Sequence, residues 1–128
     1  MPQNQQSGAR ANDWGRQIAR EIAEAIGAEM LSKNSNECKL EGERAVIKCA
    51  KLSTDSVGVT YKMLERIQFI IGAFQAENGK FDIYKLPSPI FQKNMRATAS
   101  HGSAKGKVGI VRKTIFHSSG KFMSSVKV

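Results

Sequence analysis

Trp14, Ile18, Ile22 and Ile26 recur every four residues with polar residues between them. That spacing predicts an amphipathic helix with one apolar stripe, Asn12 or Asp13 as its cap and Gly27 as its stop. Residues 28–33 suit either an extension of this helix, since Met30 continues the stripe, or a short strand released by Gly27. The segments ECKLE and RAVIKCAK flank a Gly-Glu pair and read as a β-hairpin. Residues 60–75, TYKMLERIQFIIGAFQ, are apolar on more than one face and read as a long, buried central helix. KFDIYKL, with Phe81, Ile83 and Leu86, is an expected strand. Ser88 as cap and Pro89 at the first helical position predict a short helix after it. Residues 96–107 form a basic loop of small residues, and VGIVRK is a last short strand. Residues 1–12 and 117–128 read as tails, which leaves one globular domain over residues 13–116. The expected class is α/β (α+β): a small mixed β-sheet with a long buried helix on one face and an N-terminal amphipathic helix.

The hairpin carries an unusual residue. Ala45, Ile47 and Cys49 form one apolar face, suited to packing under the 60–75 helix, while Arg44, Val46 and Lys48 form the other. Lys48 therefore sits in the middle of the most strand-like segment, between Val46 and Ala50 at period two. A lysine there either meets water or is aimed at something anionic. The alternation places it on the side away from the 60–75 helix, with at least one of Glu21, Glu24 and Glu37 on that same side.

Charge sharpens the second reading. The 128 residues carry a formal charge of +9. Residues 1–82 hold eleven Lys/Arg and eleven Asp/Glu; residues 83–128 hold nine Lys/Arg and no acid. A one-sided basic block favours a polyanion, most often nucleic acid. Lys93, Arg96, Lys105, Lys107, Arg112 and Lys113 are the candidate phosphate contacts, with Tyr84, Phe91 and Phe116 as aromatics that either stack bases or fill the core. No apolar run is long enough to cross a membrane, and the N-terminal residues lack the apolar stretch of a signal peptide, so a cytoplasmic location is expected. Cys38 and Cys49, the two cysteines, are expected to stay reduced there.

Helix, three-stranded meander, helix, strand is also the core order of the PD-(D/E)XK nuclease superfamily, which the chain resembles over residues 15–85. Glu21 lies on the first helix at the edge of its stripe, Ser35, Asn36 and Glu37 open the second strand, and Lys48 is on the third. The resemblance implies a restriction-endonuclease-like fold with Glu21, Glu37 and Lys48 as catalytic residues. It implies Mg2+ as the cofactor, held by Glu21 and Glu37, since hard cations take carboxylate oxygens and a bound metal generates hydroxide beside a phosphate. Lys48 would then stabilise developing charge. The sequence departs from the pattern where Val46, two residues before Lys48, replaces an acid, so the site is degenerate.

Other chemistry is weakly represented. His101 and His117 have no evident catalytic partner. HGSAKGK lacks a P-loop, since Lys107 is followed by Val108. Two Cys and two His at these spacings build no zinc site. The expected function is nucleic-acid binding on a nuclease-like fold, DNA ahead of RNA, with metal-dependent phosphodiester cleavage left open and a homodimer as a further expected assembly. The alternative is a non-enzymatic basic nucleic-acid-binding or protein-interaction module.

Overall fold

A computed structural model describes residues 2–32, 35–97 and 107–128, with side chains from residue 13 onward. Helix α1 (Pro2–Ile26) takes in residues expected as an N-terminal tail, and its start lies well before Asn12 and Asp13. Pro2 suits a first turn, and the Gln, Ala and Arg that follow are good helix formers. The helix ends as expected at Gly27, whose φ of 78° few other residues tolerate. Ile22, Ala19 and Ala23 are fully buried from its stripe, with Trp14, Ile18 and Ile26 packed at the margin.

The main sheet has strand order β1-β2-β3-β5-β6-β9. Its strands are β1 (Glu29–Met30), β2 (Glu37–Leu40), β3 (Glu43–Ala50), β5 (Phe69–Gln75), β6 (Phe81–Pro87) and β9 (Lys121–Val126). Only β3 and β5 run parallel. The β2–β3 hairpin turns at Glu41 and Gly42, both at positive φ, as a two-residue turn of matching twist requires. The crossover from β3 to β5 carries β4 (Ser56–Thr60) and a single helical turn, α2 (Tyr61–Leu64). A smaller sheet, order β4-β8-β7, is completed by β8 (Val108–Arg112) and β7 (Arg96–Ala97). Helices α3 (Ser88–Asn94) and α4 (Lys113–Ser119) complete the fold. In α3 Ser88 is the first helical residue, not the cap, and accepts from Gln92 Nε2 at 3.0 Å.

The expected long helix over residues 60–75 is corrected. Thr60 does cap a helix, accepting from Met63 N at 3.2 Å, but only residues 61–64 follow it. Residues 69–75 are the central strand β5, flanked by β3 and β6 and buried on both faces. A strand covered on both sides reads as an unbroken apolar run, which periodicity does not separate from a buried helix. The expected C-terminal tail is corrected too. Residues 117–119 complete α4, and β9 pairs antiparallel with β6 as the edge of the main sheet.

These corrections move the core. One face of the sheet, with Ala45, Ile47, Phe69, Ile71, Ala73 and Ile83, packs under α1. The opposite face, with Val46, Ala50, Ile70, Phe74 and Leu86, meets Val57, Val59 and Val111 of the small sheet and Leu64, Phe91 and Phe116 of the short helices. The Ala45–Ile47 face therefore packs against α1 and not against a 60–75 helix. Gly72 stands at the centre of the opposite face. A Cβ there would lie 2.7 Å from Phe74 Cε2 and 2.8 Å from two ring atoms of Phe116. Neither ring has room to yield, so Gly72→Ala should cost about 2 kcal/mol in urea unfolding, the usual penalty of overpacking. An unchanged urea midpoint would mean that the rings do not close over Gly72.

Candidate functional site: a cationic cavity beside the basic sheet

Lys48 lies directly opposite Gly72 across the parallel β3–β5 pair, so its side chain leaves the sheet on the face toward the smaller sheet. Strand β2 starts at Glu37, opposite Val46, and β3 runs on past it over residues 47–50. The notch left at that edge is a cavity of about 430 Å3. Lys48 and Arg16 supply its cations, Ser35, Asn36 and Thr60 its polar wall, and Val46, Val59 and Met63 its apolar wall.

The cavity's charge is mainly cationic: Arg16 Nη2 lies 3.8 Å from the exposed Asp13 carboxylate, a pair of the weak surface kind. Burial lowers the pKa of the Lys48 ammonium below its ordinary value of 10.5, with the neighbouring Cys49 acting weakly in the other direction. No carboxylate pairs with Lys48 among the described residues. The Oδ1 of Asn36, an acceptor, is buried without a hydrogen-bond partner. A half-buried cation without an anion and a buried acceptor without a donor are both unfavourable when left alone. An anionic group carrying a hydroxyl or amino donor would satisfy both.

Of the three residues expected to form a metal-dependent catalytic site, only Lys48 lines this cavity. Glu37 does share its face of the sheet, as expected, because it stands opposite Val46. Its carboxylate is buried between two arginines: Arg66 Nε donates to Oε1 at 3.1 Å, while Oε2, without a hydrogen-bond partner, lies 3.6 Å from Arg44 Nη1. Glu21 is exposed on α1, and α1 packs on the other face of the sheet, not beside the Lys48 face as expected. Its stripe is widened by Ala19 and Ala23, which fit the Ala45–Ile47 face more closely than the charged one. Glu24 is exposed as well. Among the described residues no group of three His, Cys, Asp or Glu side chains is placed to hold a metal ion. With Val46 apolar and Glu37 held by two guanidinium groups, these residues do not fit a bound Mg2+. Cys38 and Cys49 are unbridged, and burial pushes both thiols up, to about 11 and about 12.

The basic third of the chain adjoins the cavity. Thr60, on the cavity wall, pairs with Val108, and the next residue, Tyr61, donates its N–H to the Lys107 carbonyl at 2.9 Å. In the small sheet, Val57, Val59 and Val111 point inward. Arg96 stands opposite Ile110, and Arg112 is two residues further along β8, so both arginines share the outward face. Their separation across such a diagonal is about 7–8 Å. Both are exposed, as are Lys93 and Lys107, while Lys113 is half-exposed. None of the five pairs with a carboxylate among the described residues. Lys105 lies outside the described residues. Lys85 is different: it bridges to Glu43 at 3.8 Å and covers the Phe69 ring on the α1 side. Of the expected aromatics, Phe91 and Phe116 are core, and Tyr84 is half-buried.

Sequence reasoning missed Arg16, and it met Asn36 only as a residue opening the second strand, not as a buried acceptor beside Lys48. Arg16 follows Trp14 by two residues on α1 and reads as a solvated helix position. Only the tertiary overlap of α1 with the open end of β3 gives it a role.

Replacing Lys48 by methionine isolates the cost of that charge. The native state holds the Lys48 proton less tightly than the unfolded chain does. Below the lowered native pKa both states are protonated and the full cost of the buried charge is present. As pH rises toward 10.5 the native state loses its proton first, and the wild type gains stability. Lys48→Met should therefore be the more stable protein at pH 7, by about 1 kcal/mol, with the gap closing toward alkaline pH. Thermal melts at neutral and alkaline pH check this. A variant less stable than wild type throughout would show that Lys48 supports the fold.

No protein-family model matches this chain, and a search of curated proteins finds no match. Among the described residues no helix is long and apolar enough to cross a membrane.

Proposed function

We propose that this protein binds nucleic acid through the outward face of its smaller sheet, with the Lys48–Arg16 cavity receiving a phosphate at the edge of that surface. The observation that carries the reading is the placement of Arg96 and Arg112. Two exposed guanidinium groups share one face, with no carboxylate to neutralise either of them among the described residues. Lys107 connects that face to the cavity through the Tyr61 N–H. Contacts of this kind recognise the backbone of a polymer and not its sequence.

The order of a helix, three antiparallel strands and a crossover to a strand parallel to the third supports kinship with the PD-(D/E)XK nuclease-like superfamily. Within that kinship the chain is a binding member. Its second-strand acid supports the fold, its third-strand acid is Val46, and Lys48 keeps an affinity for phosphate without a metal.

The test is equilibrium binding of a fluorescently labelled oligonucleotide, read by anisotropy. Binding at low salt that added salt competes away supports the proposal; no binding at low salt rejects it. Binding only to an acidic protein would assign the same surface to a protein partner.

A further inference from the structure

We propose that Tyr84, His117 and Phe122 form a shelf on which an unpaired base of single-stranded nucleic acid stacks. The inference deepens the nucleic-acid reading above and rests on it. It starts from an irregularity in the sheet. Ile83 pairs with Ser124, but the register shifts at the next residue, so that Tyr84 pairs with Phe122 and Met123 is extra. Such a bulge re-aims side chains at an edge. Here it places Phe122 across from Tyr84, on the face that Lys48 and Gly72 also share.

The rings are arranged around Tyr84. Its centroid is 5.4 Å from that of Phe122, at 68°, and 4.6 Å from the His117 imidazole, at 37°. Behind it Phe74 meets both Tyr84 and His117 edge-on or tilted, at 6.4 and 6.2 Å, and anchors the group to the core. Phe122 remains 52% exposed, and His117 is exposed on α4. Burial and Asp82 raise the pKa of the Tyr84 hydroxyl, so that ring stays a neutral phenol.

The surroundings fit a base and not an apolar peptide. The shelf is a few rings bordered by the exposed hydroxyls of Ser118 and Ser119, with half-exposed Lys113 one helical turn before His117 on α4. One acid, Asp82, shares the face of Tyr84 two residues before it on β6, where it accepts from Ser125 Oγ at 2.9 Å. Against that one carboxylate, the chain from residue 83 to the end holds nine Lys/Arg and no acid. Aromatic faces beside cations are how proteins hold single strands irrespective of sequence, because every base has a π-face. In a duplex those faces are already stacked, so the shelf discriminates between the two forms.

The experiment compares an oligothymidine of about 12 nucleotides, within the usual range of single-strand sites, with a hairpin duplex under the same salt. Phe122→Ala should weaken oligothymidine binding about tenfold and leave duplex binding and the salt dependence unchanged. Phe122→Trp should restore affinity, and Phe122→Leu, apolar but without a π-face, should not. His117→Ala should weaken the same ligand. Wild-type affinity in both Phe122→Ala and Phe122→Leu, or an equal loss on oligothymidine and duplex, would overturn the shelf while leaving the basic surface standing. A wild-type protein that binds neither ligand would overturn both.

Discussion

Phe116→Ala is expected to destabilise the protein by about 3–5 kcal/mol, the usual cost of emptying a fully buried aromatic site. Phe116 has no exposed surface. Its ring meets Phe74 edge-on at 5.2 Å and Phe91 at 6.4 Å, and it closes over Gly72. Collapse into the vacated space is opposed from several sides, because β5 is a central strand and α4 is anchored at its start by the Lys113 N–H to Asp55 carbonyl bond. A loss of that size is a large share of the roughly 5–15 kcal/mol that holds a domain together. Urea unfolding followed by circular dichroism measures it. A loss below about 1 kcal/mol would mean that α4 is peripheral and that the core facing the small sheet does not need it.

Arg96→Gln combined with Arg112→Gln is expected to weaken nucleic-acid binding about a hundredfold at low salt, since each lost phosphate contact removes close to one released counterion. Folding should be nearly untouched, because both side chains are exposed and point away from the core. The pair should also flatten the salt dependence by about two units of log–log slope for duplex DNA. Unchanged affinity in a variant of normal melting temperature would remove the small sheet from the binding surface.

The sequence made some of this architecture legible and hid the rest for identifiable reasons. The amphipathic stripe of α1, the Gly27 stop, the 37–50 hairpin and strands β6 and β8 were readable because each is bounded by turn residues or broken by polar side chains such as Lys39, Lys48, Asp82 and Arg112. The segment containing Phe69, Ile70 and Ile71 was not readable in the same way, because β5 is covered on both faces and its alternation disappears. That one ambiguity displaced the expected helix and left the covering of the second face to elements the local pattern marks weakly. Strand β4 has Gly58 at its centre, and α4 ends in Ser118, Ser119 and Gly120, residues that resemble a tail.

Lys48 stood out in the sequence as a candidate for a simple reason: a lysine between Val46 and Ala50 breaks the pattern of a buried face. Its partners were not legible. Glu37 shares the face by register, yet the loop after α2 brings Arg66 to it, across 29 residues of sequence. Arg16 reaches the cavity only because β2 starts two residues short of a partner for Lys48, a consequence of hairpin register that the sequence does not display.

The salt dependence of binding tests the central claim most directly. Wild-type protein is titrated with a labelled duplex at a series of salt concentrations near neutral pH. If Lys93, Arg96, Lys107, Arg112 and Lys113 face phosphates, log affinity should fall linearly with log salt, with a slope of about −3 to −5 at 0.9 per contact. No measurable binding at the lowest salt, or an affinity indifferent to salt, would contradict the account.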